Sequence, residues 1–161
     1  MLQGFPPVVN EKTHTLILGS FPGETSLHAY QYYAYKQNQF WRLMSASLEL
    51  DLINLEYEQR LNSLLAHGIG LWDVFHSCIR SGSLDSAIRQ GKLNDFTSLQ
   101  ANHPQLKKLY FNGQTAGKMQ AYFQERGYLT AILPSSSPAY AMRSFDEKLK
   151  DWQKALRADI R

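Results

Sequence analysis

This chain of 161 residues holds a single cysteine, Cys78. One thiol closes no intrachain disulfide, ligates no iron–sulfur cluster and builds no cysteine-based zinc site. It lies in VFHSCIR among apolar neighbours, the setting of a buried, inert thiol rather than a nucleophile. No segment approaches the apolar length that a bilayer core demands. The opening MLQGFPPVVN has no basic region and no apolar run of signal length, so a cytoplasmic protein with no membrane role is expected. His14, His28, His67, His76 and His103 lack metal-ligand spacing, and H-E-x-x-H does not occur. Neither a metal nor a cofactor is expected. G-x-G-x-x-G and G-x-x-x-x-G-K-[ST] are missing, which removes the two common phosphate loops. No serine has the G-x-S-x-G context of a hydrolase nucleophile.

What remains is an ordinary globular mixture, 43% hydrophobic and 19% charged, with 12% aromatic residues. Its length suits one domain, residues 1–161, with one sizeable core. Seventeen Lys and Arg against 14 Asp and Glu give a net charge of +3, which permits a polyanionic partner without demanding one. Short apolar runs rich in β-branched residues predict strands at 13–20, 69–75, 106–113 and 128–134. Helical spacing predicts helices over 38–50, 56–68, 81–91, 94–104, 114–127 and 144–160, the last opened by a Ser144…Glu147 capping box. FPGETS reads as a turn. Four strands alternating with helices imply an α/β fold, a parallel sheet covered on both faces. Ligands of such sheets bind beyond the carboxyl ends of the strands. GSFPG, HSCIRSGS, NGQTAG and PSSSPAY fall there.

Several of these residues suit chemistry, and each also has a plain structural use. Phe21, on the turn after the first strand, offers a ring face to a base, and such stacking is worth about 1–3 kcal/mol; taken alone, GSFPGE is a tight turn. Asn38 precedes a helix and suits a cap; its amide also suits a water or a base edge, donating and accepting at once. The triple serine Ser135, Ser136 and Ser137, before Pro138, reads either as a phosphate-binding loop or as a solvated one. Asp73 reads as a buried carboxylate tying loops together in preference to a base, and Asp85 as a helix-start residue.

Four stretches, LILGSFPGETSLHAYQYYAYKQNQFW, GLWDVFHSCIRSGSLDSAI, FNG and LPSSSPAYA, together resemble the hypoxanthine-DNA glycosylases, a branch of the uracil-DNA glycosylase superfamily. The resemblance runs from about Pro6 to about Trp152, in order and with matching spacing. It implies a three-layer α/β/α sandwich around a four-stranded parallel sheet of order 2-1-3-4. It also implies a monofunctional, metal-free glycosylase that acts on DNA containing deaminated bases, as a monomer. By this resemblance the catalytic asparagine is Asn38 and a second functional one is Asn112. Phe21 stands where mismatch-specific relatives have a water-positioning Asn. Two departures bear on substrate preference. Tyr35, Lys36 and Gln37 replace a His-Pro-basic run, and Tyr140 replaces an Asn after Ser-Pro-Ala.

The expected mechanism follows. A base inside a duplex must be flipped out at a cost of a few kcal/mol. It would then stack on Phe21 beside Gly19 and Ser20, with Tyr32, Tyr33 and Phe40 completing the pocket. Asn38 would orient the attacking water through its carbonyl. Ser20, Ser135, Ser136, Ser137, Pro138, Tyr140 and Arg143 would hold the DNA backbone. A catalytically silent nucleic-acid-binding module on the same fold is the alternative, and a nucleotide-binding α/β protein is a third reading.

Overall fold

Thr15–Gly19 is buried at every position, as a strand must be when both faces of its sheet are covered. Its side chains alternate. Ile17 enters one core with Phe40, Trp41, Leu43, Met44, Leu64, Leu71 and Trp152. Leu16 and Leu18 enter another with Phe96, Leu109, Phe111 and Phe123. The period of two along the strand thus feeds two cores on opposite faces.

The computed structural model describes residues 1–157. In chain order the elements are β1 (Leu2–Gln3), β2 (Thr15–Gly19), α1 (Glu24–Ala29), α2 (Phe40–Leu48), α3 (Tyr57–Ala66), β3 (Ile69–Asp73) and β4 (Phe75–Ile79). A 3-10 turn at Asp85–Ala87 leads to β5 (Arg89–Leu93). Then follow α4 (Leu99–Asn102), β6 (Lys108–Asn112), α5 (Gln114–Gly117), α6 (Gln120–Glu125), β7 (Leu129–Leu133) and α7 (Phe145–Arg157). Strands β3, β2, β6 and β7 lie in that order, all parallel. This is the 2-1-3-4 order that the resemblance implies. The α3-to-β3 turn passes through Gly68 at φ +75°, where a Cβ would fall 2.2 Å from Nε2 of His14; only glycine fits there.

Five expectations need correction. The polar stretch after β3 is not a free loop. With one residue between, β4 pairs antiparallel with β1 and β5 in a second, three-stranded sheet. The helix expected over 81–91 is instead the 3-10 turn and β5. Leu84 in this stretch is 55% exposed and belongs to neither core, so no buried apolar face holds a helix there. The helix expected over 94–104 contracts to α4, because Asp95 caps Thr97 through both its backbone N–H and its hydroxyl and diverts the start into a turn. The helix expected over 114–127 breaks between α5 and α6, where Gly117 passes so close to Ile132 that a Cβ would lie 2.8 Å from its Cδ1. FPGETS also continues into α1. Ala158–Ile160, the predicted end of the last helix, lie outside the described residues.

Candidate functional site

The carboxyl ends of β2, β3, β6 and β7 open onto one cavity of about 730 Å³, within the size range of small-molecule pockets. Gly19, Ser20 and Phe21 reach it from the end of β2, Asp73 from β3, Asn112 from β6, and Ser135–Tyr140 from beyond β7. Tyr32, Tyr33, Tyr35 and Asn38 come from the aromatic segment between α1 and α2. That segment is tied at its base. The Ala34 N–H donates to Oγ of Ser26 at 3.0 Å, the Tyr32 N–H to the Tyr57 hydroxyl at 2.9 Å, and the Tyr32 hydroxyl to the Pro6 carbonyl at 2.8 Å.

A hydrogen-bonded chain runs across the cavity wall. Ser136 Oγ donates to Asn38 Oδ1 at 2.8 Å and accepts from Asn112 Nδ2 at 2.9 Å. The Ser136 N–H donates to Asn112 Oδ1 at 2.9 Å, and Asn112 Nδ2 also reaches the Tyr33 hydroxyl at 3.3 Å. The Phe40 N–H donates to Asn38 Oδ1 at 2.9 Å, and the Gln39 N–H to the Ser136 carbonyl at 2.9 Å. A backbone N–H can only donate, so the Phe40 contact fixes which end of the Asn38 amide is oxygen. That oxygen already accepts two hydrogen bonds. The Nδ2 group is the end of Asn38 left for a ligand, which corrects the expectation that its carbonyl would hold the water. Asn38 lies one position before Gln39, the N-cap of α2, and takes the first N–H of that helix, so the structural and functional uses coexist.

Not every predicted contact reaches the cavity. Phe40 is fully buried and stacks under Tyr33 with ring centroids 3.9 Å apart; it supports the wall and does not line it. Arg143 is engaged with Asp151 at 2.7 Å and with the Glu147 carbonyl at 2.8 Å on α7, and it is not among the lining residues. Ser136 is 1% exposed, so no phosphate reaches it. Ser20 donates its hydroxyl to Asp85 at 2.5 Å, and a carboxylate at that spot repels a phosphate. Ser135 and Ser137 remain at the cavity edge with Pro138 and Tyr140. Sequence reasoning missed Lys148, which is buried and holds this loop from α7. Its Nζ donates to Gln39 Oε1 at 2.9 Å and sits 5.3 Å from the Tyr140 ring centre.

Asp73 is 4% exposed, and its Oδ2 has no hydrogen-bond partner among the described residues. Burial first, then the nearby Asp85, push its carboxyl up to about 7, while Arg80 pulls it down. The loop tie expected of its side chain is made by its main chain instead, since Asn94 Nδ2 donates to the Asp73 carbonyl at 2.7 Å. A carboxyl whose folded pKa is raised stabilises the fold fully only below its unfolded value, 3.8, and that contribution is lost as pH rises to about 7. Asp73→Asn, which cannot ionise, is therefore expected to melt above the wild type at pH 8. The gap should shrink on going to pH 5 in thermal unfolding followed by circular dichroism.

Residues 6–161 match the family model of the Uracil DNA glycosylase superfamily. The chain is 41% identical over 155 residues to a Methanosarcina barkeri protein named hypoxanthine DNA glycosylase, covering 96% of this chain and 98% of that one. It is 40% identical, with the same coverage, to a Methanosarcina acetivorans protein of the same name. The solution NMR structure of a Methanosarcina acetivorans protein described as a candidate uracil DNA glycosylase superposes with a TM-score of 0.90 at 39% identity, covering 99% of this chain and 98% of that one.

Proposed function

This chain belongs to the uracil-DNA glycosylase superfamily, and from that membership we propose that it flips hypoxanthine out of DNA and hydrolyses its N-glycosidic bond. The observation that carries the reading is an amide locked by Ser136 and Phe40, its Nδ2 group free, on the wall of a cavity that also holds Phe21. Nothing favours a catalytically silent module, because the relatives of matching length are named as glycosylases.

In this reading the flipped base enters at the carboxyl ends of the strands and lies against Phe21, between the Gly19–Ser20 backbone and Tyr32 and Tyr33. As the glycosidic bond stretches, positive charge grows on the sugar and negative charge on the base. Fixed donors that meet developing charge supply most of such catalysis. Asn38 donates from Nδ2, to the oxygen of the attacking water or to the departing base. Asn112, whose two N–H groups serve Ser136 and Tyr33, acts by position: it holds the wall in register. Ser135, Ser137, Pro138 and Tyr140 meet the DNA backbone, which sets register without reading sequence. The enzyme works in the cytoplasm as a monomer, needs no metal or cofactor, and leaves an abasic site with the strand intact.

The test uses duplexes that carry inosine, uracil or xanthine at one position, incubated with the protein and then cleaved at abasic sites with alkali. Cleavage of the inosine strand that exceeds the other two is the expected result. Alkali-stable strands in all three reactions would remove the glycosylase reading.

A further inference from the structure

Asp73 has no task in the reaction as described so far, yet it stands at the carboxyl end of β3, the edge strand beside β2, and lines the cavity. We propose that Asp73 is a catalytic residue of this reaction, a general acid that hands its proton to a ring nitrogen of the flipped purine as the glycosidic bond breaks. The inference rests on the glycosylase reading above.

Three observations of geometry carry it. The side chain lines the cavity though only 4% exposed, and its buried Oδ2 has no partner among the described residues, which makes a charged carboxylate expensive there and favours one that carries its proton. It is not retained as a strut, because the link to Asn94 uses the main-chain carbonyl. And the residue facing it on β2 is Gly19. A Cβ there would fall 2.7 Å from Asp73 Oδ1 and 3.0 Å from the Tyr33 hydroxyl oxygen. The missing side chain is what lets the carboxyl and the phenol converge on one spot of the cavity wall.

The surroundings keep the carboxyl protonated near neutrality. From the end of β2, Gly19 and the following Ser20 line this end of the site, and neither ionises. The segment before α2 brings Tyr32 and Tyr33, whose phenols are held protonated by burial first and by Asp73 second. Tyr57 on α3 is raised too, by burial first, with Asp73 the weakest contributor. Asp85 in the 3-10 turn adds like charge, and its carboxylate takes the Ser20 hydroxyl. Arg80, just after β4, opposes them, but its Nε and Nη2 are spent on the Gly82 and Pro22 carbonyls.

The step balances. The C1′–N9 bond breaks and its electron pair stays with the base. A water oxygen bonds to C1′ and gives up a proton to solvent. Asp73 gives its own proton to the base, which leaves neutral, and the carboxylate takes a proton back from solvent. General acids of this kind contribute typically about 10²–10⁴-fold, and a carboxyl tuned upward by burial suits the role.

The experiment is single-turnover release of hypoxanthine from an inosine duplex between pH 5.5 and 8.5. Wild-type rates should fall by one proton's slope above neutrality. Asp73→Asn, equal in size, should be about 100-fold slower at pH 6 and flat across that limb. Asp73→Glu, which keeps a proton to give, should retain a falling limb. A wild-type rate for Asp73→Asn at pH 6, or a wild-type falling limb in that variant, overturns the inference and leaves the glycosylase reading standing. A wild type that releases no base overturns both.

Discussion

Asn38→Ala is expected to slow single-turnover release of hypoxanthine by about 10²–10³-fold, the usual loss when one preorganised donor is removed. Affinity for the uncleaved DNA should stay within several-fold. The split follows from where Asn38 sits. It does not lie on the Ser135–Tyr140 edge where the DNA backbone contacts are proposed. Its oxygen is saturated by the Phe40 N–H and the Ser136 hydroxyl, so what alanine removes from the cavity is the pair of Nδ2 hydrogens. Loss of the cap on Phe40 costs about 1 kcal/mol of stability, too little to unfold a domain of this size at 25 °C. Asn38→Asp separates the two functions of the amide. A carboxylate still accepts from Phe40 and Ser136, but it faces the cavity as an acceptor with negative charge. If the donors act, the aspartate variant is as slow as the alanine one while keeping more of the cap. Full activity in either variant would take Asn38 out of the mechanism.

The parts of the fold visible in the sequence were those set by local periodicity. Thr15–Gly19 and Ile69–Asp73 are short, apolar and wholly or largely buried, and that pattern marks interior parallel strands. The second sheet was not visible, because β1 is two residues long and exists only by pairing with Ser77 and Cys78, some 75 positions away in sequence. No local signal announces such a partner. The same limit governs the site. The four motifs fall at the strand ends, so every expected site residue except Phe40 and Arg143 lines the cavity, while others that line it, such as Thr25, Ser83 and Thr115, gave no signal. What each one does there depends on which way it turns, and that is settled by packing. Phe40 and Tyr33 are both aromatic residues of one segment, yet one is the floor on which the other stacks. Lys148 lies on an amphipathic helix where a lysine reads as solvated; it is buried because Gln39 and Tyr140 come to it from other segments. In Ser135, Ser136 and Ser137 the sequence repeats a letter three times, and nothing in it says that the middle one faces inward.

That inward turn makes Ser136→Ala the decisive substitution in the loop. If Ser136 bound a phosphate, its loss would weaken DNA binding, and the salt dependence of binding would become shallower. Its position says otherwise. The hydroxyl oxygen hydrogen-bonds to both Asn38 and Asn112. Removing it leaves a buried Asn112 N–H without its partner and frees the Asn38 amide to rotate, a structural cost of about 1–3 kcal/mol. The backbone bonds from Ser136 to Asn112 and from Gln39 to Ser136 survive in the variant, so the loop keeps its course. The expected outcome is a release rate lower by about 10²-fold, since misplacing a catalytic group by about 1 Å costs that much. The slope of log affinity against log salt should stay at its wild-type value. Measured together, rate and salt slope distinguish a residue that aims the amides from one that grips the backbone, and a changed slope with an unchanged rate would return Ser136 to the phosphate-binding loop.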